Sequence, residues 1–135
     1  MRKPNSFINP LETTAQQQFV QYVEWLGYPI FSVPNGFYVR GARPEEVAKA
    51  VNKLHKEGLR NGVPDLVIPV ARGIYHSLYI EMKRKSGGKP SPEQLEWQRV
   101  LTEQGMCSLI VKGYDDAKAL FDYYINLKGG EKIEK

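Results

Sequence analysis

Apolar residues recur along this chain at two spacings, three-to-four and two, and each change of spacing marks an element boundary. Phe19, Val20, Val23 and Leu26 keep helical spacing, and Gly27 is a natural stop. Ahead of them, Asn9-Pro10-Leu11-Glu12 reads as a helix start: a capping residue, a proline in the first turn and an acid three positions after the cap. Tyr28 to Val33 reads as a short strand. Pro34-Asn35-Gly36 is a turn signal, from which Phe37 to Val39 can return as a hairpin. Pro44-Glu45-Glu46 opens a second helix carried by Val47, Ala50, Val51 and Leu54. Lys53 and Lys56 fall in its last turn, where the helix dipole favours cations, and Gly58 ends it.

Gly58 to Gly62 reads as a flexible loop that delivers the chain to Val63-Pro64-Asp65, and Leu66 to Val70 then reads as a strand. After the turn Ala71-Arg72-Gly73, Tyr75 to Lys83 is the longest alternating stretch. Leu78, Ile80 and Met82 fall on one face, and Ser77, Tyr79, Glu81 and Lys83 on the other. Arg84 to Pro90 is a basic, glycine-bearing loop. Ser91-Pro92-Glu93-Gln94 has the form of a capping box, predicting a helix to about Gln104 with Gly105 as its stop. Met106 to Val111 is an apolar strand, and Asp115-Asp116 begins a last helix with Ala117, Leu120, Phe121, Tyr124 and Ile125 inward. The chain from Gly129 to Lys135 reads as a frayed tail.

The order predicts one α/β (α+β) domain, a mixed sheet flanked by helices, with an ordered core over about residues 10–127 and a flexible tail over 128–135. Asp65 and Glu81 lie on strands expected to pair antiparallel. The strand–helix–strand segment from Tyr75 to Val111 calls for a right-handed crossover joining parallel strands.

Composition narrows the class without naming a function. No apolar run approaches a bilayer span of about 20 residues, and the N-terminal ten residues lack the apolar core of a secretion signal. The lone cysteine, Cys107, has no intrachain partner, which fits a reducing, cytoplasmic setting and plain core packing. His55 and His76 are isolated, so no zinc-site spacing exists. Trp25 and Trp97 fall at helical positions and read as core or interface. Nineteen basic against fifteen acidic residues leave a net charge of +4, compatible with a polyanionic partner.

The chemistry concentrates between Asp65 and Lys83. Side chains alternate along a strand, so Glu81 and Lys83 point the same way while Met82 points opposite. If the two strands pair, Asp65 can face Glu81, and two carboxylates and an ammonium converge. Adjacent like charges raise each other's pKa, so such a pair is costly without a cation.

These residues have company. Glu12 with Gln16, Asn35-Gly36, Gly62-Val63-Pro64-Asp65-Leu66, Glu81-Met82-Lys83, and Ser91-Pro92-Glu93-Gln94 leading into Trp97 together resemble the VRR-NUC family. These are virus-type replication-repair nucleases within the restriction-endonuclease-like superfamily. The resemblance runs from about Glu12 to the final helix. It implies a metal-dependent DNA endonuclease of replication, repair or recombination. Asp65, Glu81 and the Met82 carbonyl would hold magnesium or manganese, and Glu12 would complete that site or a second one. Lys83 would orient or activate the attacking water, with Gln94 in support. The resemblance further implies a homodimer acting on branched DNA such as four-way junctions.

Blander readings stand beside these. Asp65, Glu81 and Lys83 could be a surface ion pair. Glu12 and Gln94 are each explained by helix capping, and both roles stay open for each. Arg84, Lys85 and Lys89 could be a solvated run, although beside a nuclease site backbone-phosphate contact reads better; Arg60 and Arg43 are weaker candidates of the same kind. A less selective nickase or flap nuclease would share every residue of the site. A catalytically idle DNA-binding or assembly protein would gain nothing from acids that face phosphate.

Overall fold

A computed structural model describes residues 14–34, 43–84 and 88–134. Helix α1 (Ala15–Trp25) leads to a short β1 (Phe31–Ser32), α2 (Pro44–Lys56), β2 (Leu66–Ile68) and β3 (Leu78–Lys83). Then come α3 (Pro92–Glu103), β4 (Cys107–Lys112) and α4 (Gly113–Ile125). The sheet order is β1-β2-β3-β4. Its β2–β3 pair is antiparallel, with Leu66 opposite Ile80 and Ile68 opposite Leu78. Its β3–β4 pair is parallel, as the intervening α3 requires. The expected mixed sheet flanked by helices is therefore the fold observed.

One face of the sheet makes the core. Leu66, Ile68, Leu78 and Ile80 are essentially sealed from solvent, together with Phe19 and Val23 of α1 and Ala117, Phe121 and Tyr124 of α4. Phe121 is the hinge of this packing: Phe19, Tyr22 and Tyr28 each meet its ring edge-on, with centroids 5.7–6.2 Å away. Such contacts add to plain area burial. Cys107 belongs to this core, as expected. Helix α3 contributes nothing to it and is tied instead to β4, where Gln98 Nε2 donates to the Ser108 carbonyl at 3.0 Å.

Several boundaries differ from the sequence reading. Helix α1 begins at Ala15 behind a reciprocal capping box of Thr14 and Gln17: the Gln17 amide donates to Thr14 Oγ1 and the Thr14 amide to Gln17 Oε1. The Asn9–Glu12 signal, the Asn35-Gly36 turn and the returning strand from Phe37 to Val39 lie outside the described residues. Strand β2 stops at Ile68 rather than Val70, and β3 starts at Leu78 rather than Tyr75, which instead forms an isolated bridge with Arg72. His76 consequently precedes β3 and is exposed.

The expected fraying beyond Gly129 gives way to a docked segment. The Ile74 amide donates to the Glu131 carbonyl at 2.9 Å, and the Ile133 amide donates to the Tyr75 hydroxyl at 3.0 Å. Leu127 is buried and Ile133 packs against the core. Gly73, at φ 56°, has no room for a Cβ against the Glu131 carbonyl.

Helix α2 is the outlier. It is amphipathic, yet none of Val47, Ala50, Val51 or Leu54 joins the core, and no other described element packs substantially on it.

Candidate active site

Strand pairing assembles the site. One step beyond Leu66 and Ile80, the antiparallel register sets Asp65 opposite Glu81. Asp65 N–H and C=O point away from β3, since its carbonyl accepts from the Val33 amide at 2.8 Å. The Asp65–Glu81 position is thus a non-hydrogen-bonded pair, the kind that brings facing side chains closest. Both point away from the core, by alternation with Leu66 and Ile80.

Asp65 is clamped from the neighbouring strand: the Met82 amide donates to its Oδ2 at 3.1 Å. A residue in an extended strand aims its N–H and C=O at the same neighbour. The Met82 carbonyl therefore faces the Asp65 side too, where β2 has not yet begun.

Glu81 is the anomaly. It is only 6% exposed, and its Oε1 is buried with no hydrogen-bond partner among the described residues. Burial, then hydrogen bonding to Asp65 and the charge of Asp65, push its carboxyl up to about 8; Lys83, two residues on along the same face, pulls it back only in part. A buried acceptor without a donor costs free energy that a bound cation would offset. Among the described residues no three His, Cys, Asp or Glu side chains come together, so the described groups that could hold an ion here are two carboxylates and a main-chain carbonyl. That set is all oxygen and leaves room for waters, which fits a hard divalent ion such as magnesium or manganese.

The approach to Asp65 is fixed by a close contact that its sequence does not show. Gly62 sits at φ 85°, and a Cβ there would lie 2.6 Å from the Glu93 carbonyl carbon and 2.7 Å from the Gln94 amide nitrogen. The loop expected to be flexible is pressed backbone-to-backbone onto the first turn of α3, bringing Gln94 toward the Asp65 approach. Gln94 itself is in the capping box: Oε1 accepts from the Ser91 amide at 3.0 Å, while its own amide donates to Ser91 Oγ at 3.1 Å. Its side-chain amide nitrogen carries no such bond among the described residues.

The basic candidates scatter. Lys83 is half-buried beside Glu81, Arg84 continues β3 into solvent, and Lys89 is exposed. Arg60 donates through Nη1 to the His55 and Leu59 carbonyls at 2.7 and 2.9 Å, closing the end of α2. Arg43 pairs with Glu46 at 2.9 Å. Glu12 and Lys85 lie outside the described residues. Lys112 falls just past the apolar run that marks β4 in the sequence, and its register partner is Lys83.

A protein-family model of the VRR-NUC domain matches residues 38–115. Among solved structures, one named "VRR_NUC domain protein" superposes with a TM-score of 0.71 at 24% identity, covering 90% of this chain and 93% of that one. Another, named "VRR_NUC domain", superposes with a TM-score of 0.54 at 22% identity, covering 82% and 92%. No curated protein matches the chain. At these identities the solved structures speak for the fold, and the family model speaks for the family.

Proposed function

The chain belongs to the VRR-NUC domain family, a family of nucleases, and on that premise we propose that it is a magnesium- or manganese-dependent DNA endonuclease acting in replication, repair or recombination. The observation that carries the reading is the buried Glu81, with an unsatisfied Oε1 set against Asp65. An acid pair with a buried, unsatisfied oxygen costs free energy on its own, and it has a direct use as the grip on a divalent ion.

Asp65, Glu81 and the Met82 carbonyl would hold that ion, with Glu12 as a candidate fourth ligand. When bound, it would polarise the scissile phosphate and lower the pKa of its water. Lys83, on the same face as Glu81, orients the attacking water and meets the charge that builds on phosphate. Gln94 steadies the site from α3. Arg84, Lys85 and Lys89, with Arg60 further off, hold the backbone that flanks the reacting phosphate.

The finer reading is a homodimer that cuts branched DNA such as four-way junctions. Its support is the amphipathic α2, whose apolar stripe no described element covers, and the match between a two-fold dimer and paired strands.

Cleavage of nicked, flapped, duplex and four-way-junction oligonucleotides, with each metal and with EDTA, tests the proposal. Metal-dependent cutting is expected, lost in Asp65→Asn and Glu81→Gln with the circular dichroism spectrum retained. Lys83→Ala should lower the single-turnover rate by about 10²–10⁴-fold while changing DNA affinity little. Wild-type turnover by either acid variant would remove the site. Binding without cleavage by the wild-type protein would favour an idle DNA-binding role.

A further inference from the structure

We propose that Lys112 is a DNA-positioning residue, gripping the backbone phosphate next to the one being cut. The proposal rests on the nuclease reading above and extends it to a side chain on a different strand.

Lys83 and Lys112 are partners in the parallel β3–β4 register, so they stand side by side on the face that carries Glu81. Neighbouring strands lie about 4.8 Å apart, so two flexible lysine stems rooted there can reach successive phosphates of one DNA strand. Two adjacent ammonium groups at such a spacing repel each other and weaken a sheet. Nothing described relieves the repulsion at Lys112, which is exposed and makes no ion pair among the described residues. Asp115 and Asp116 share a recess of about 470 Å³ with Lys112 and Arg84, yet neither pairs with either cation. Lys83 is half-buried at the acids, whereas Lys112 is at the rim. The inner lysine is thus placed for the reacting phosphate and the outer one for its neighbour.

Lys112→Ala and Lys112→Arg test this, with Lys128→Ala, beyond the far end of α4, as control. Binding of a short labelled duplex is measured in EDTA across salt concentrations, and single-turnover cleavage at saturating duplex in magnesium. Lys112→Ala is expected to weaken binding about tenfold and to make the slope of log affinity against log salt shallower by about 0.9. The loss of affinity should exceed any loss in the saturated cleavage rate, and Lys112→Arg should restore both affinity and slope. Unchanged affinity and slope in Lys112→Ala, with wild-type cleavage intact, would overturn the proposal and leave the nuclease reading standing. So would a loss confined to the saturated rate. A wild-type protein that neither binds nor cuts DNA would take down both.

Discussion

Glu81 makes stability a function of pH. Its carboxyl titrates near 8 in the folded chain against 4.5 ordinarily, so between those values the folded state holds a proton that the unfolded state has released. Stability from this group is complete below about pH 4.5 and is lost as pH rises through 8, with a limiting slope of about 1.4 kcal/mol per pH unit inside the window. The melting temperature of the metal-free protein should therefore fall between pH 5 and 8, and Glu81→Gln should flatten that fall. Magnesium should raise the melting temperature most at the alkaline end, where no proton competes for the carboxylate. Equal slopes in wild type and Glu81→Gln would show that another group governs the pH dependence. The sequence carried the acids, the lysine and their shared face, because a two-residue alternation fixes them. It could not carry the burial of Glu81, which depends on neighbours distant in the chain.

Local signals compete at the level of elements. The capping box of Thr14 and Gln17, close to the apolar run Phe19–Val23, begins α1, a start the sequence reading did not single out. The capping box at Ser91 was legible because nothing competes with it. The contact between Gly62 and α3 was not, since a glycine that turns a loop and one that admits another backbone look alike in sequence. Their difference is measurable. Gly58 and Gly62 both have positive φ, but a Cβ at Gly58 would meet open space. Gly58→Ala should cost only the backbone strain, about 1–3 kcal/mol. Gly62→Ala should cost more, and should also lower the cleavage rate at saturating DNA, because Asp65 is three residues on. Calorimetry with single-turnover kinetics separates the two, and equal effects would deny that the Gly62 contact positions the acid.

For the molecule as a whole, sheet order followed from element order, since a tight connection made β2 and β3 antiparallel and a helical one made β3 and β4 parallel. The docked tail was missed because Ile133 is a single apolar residue among Glu131, Lys132 and Glu134, and its place is set by Tyr75 far away in sequence. The proposed dimer belongs to this scale. Light scattering should return twice the 15.4 kDa chain mass, and four-way junctions should be nicked at symmetric positions on opposing strands. A monomer that prefers flaps would defeat the junction reading alone.

The β2–β3 ladder is chemically lopsided, and this has a dynamic consequence. One end is closed by Leu78 against Ile68, sealed in the core, and the other by two acids. Thermal opening should begin at the acidic end, like a zip whose last tooth is under tension. The Met82 amide, held by the Asp65 carboxylate rather than by a ladder carbonyl among the described residues, should then exchange with deuterated solvent faster than the Ile80 amide deeper in the ladder. A divalent ion drawing the acids together would slow Met82 selectively, so this single amide would report metal occupancy with no nucleic acid present.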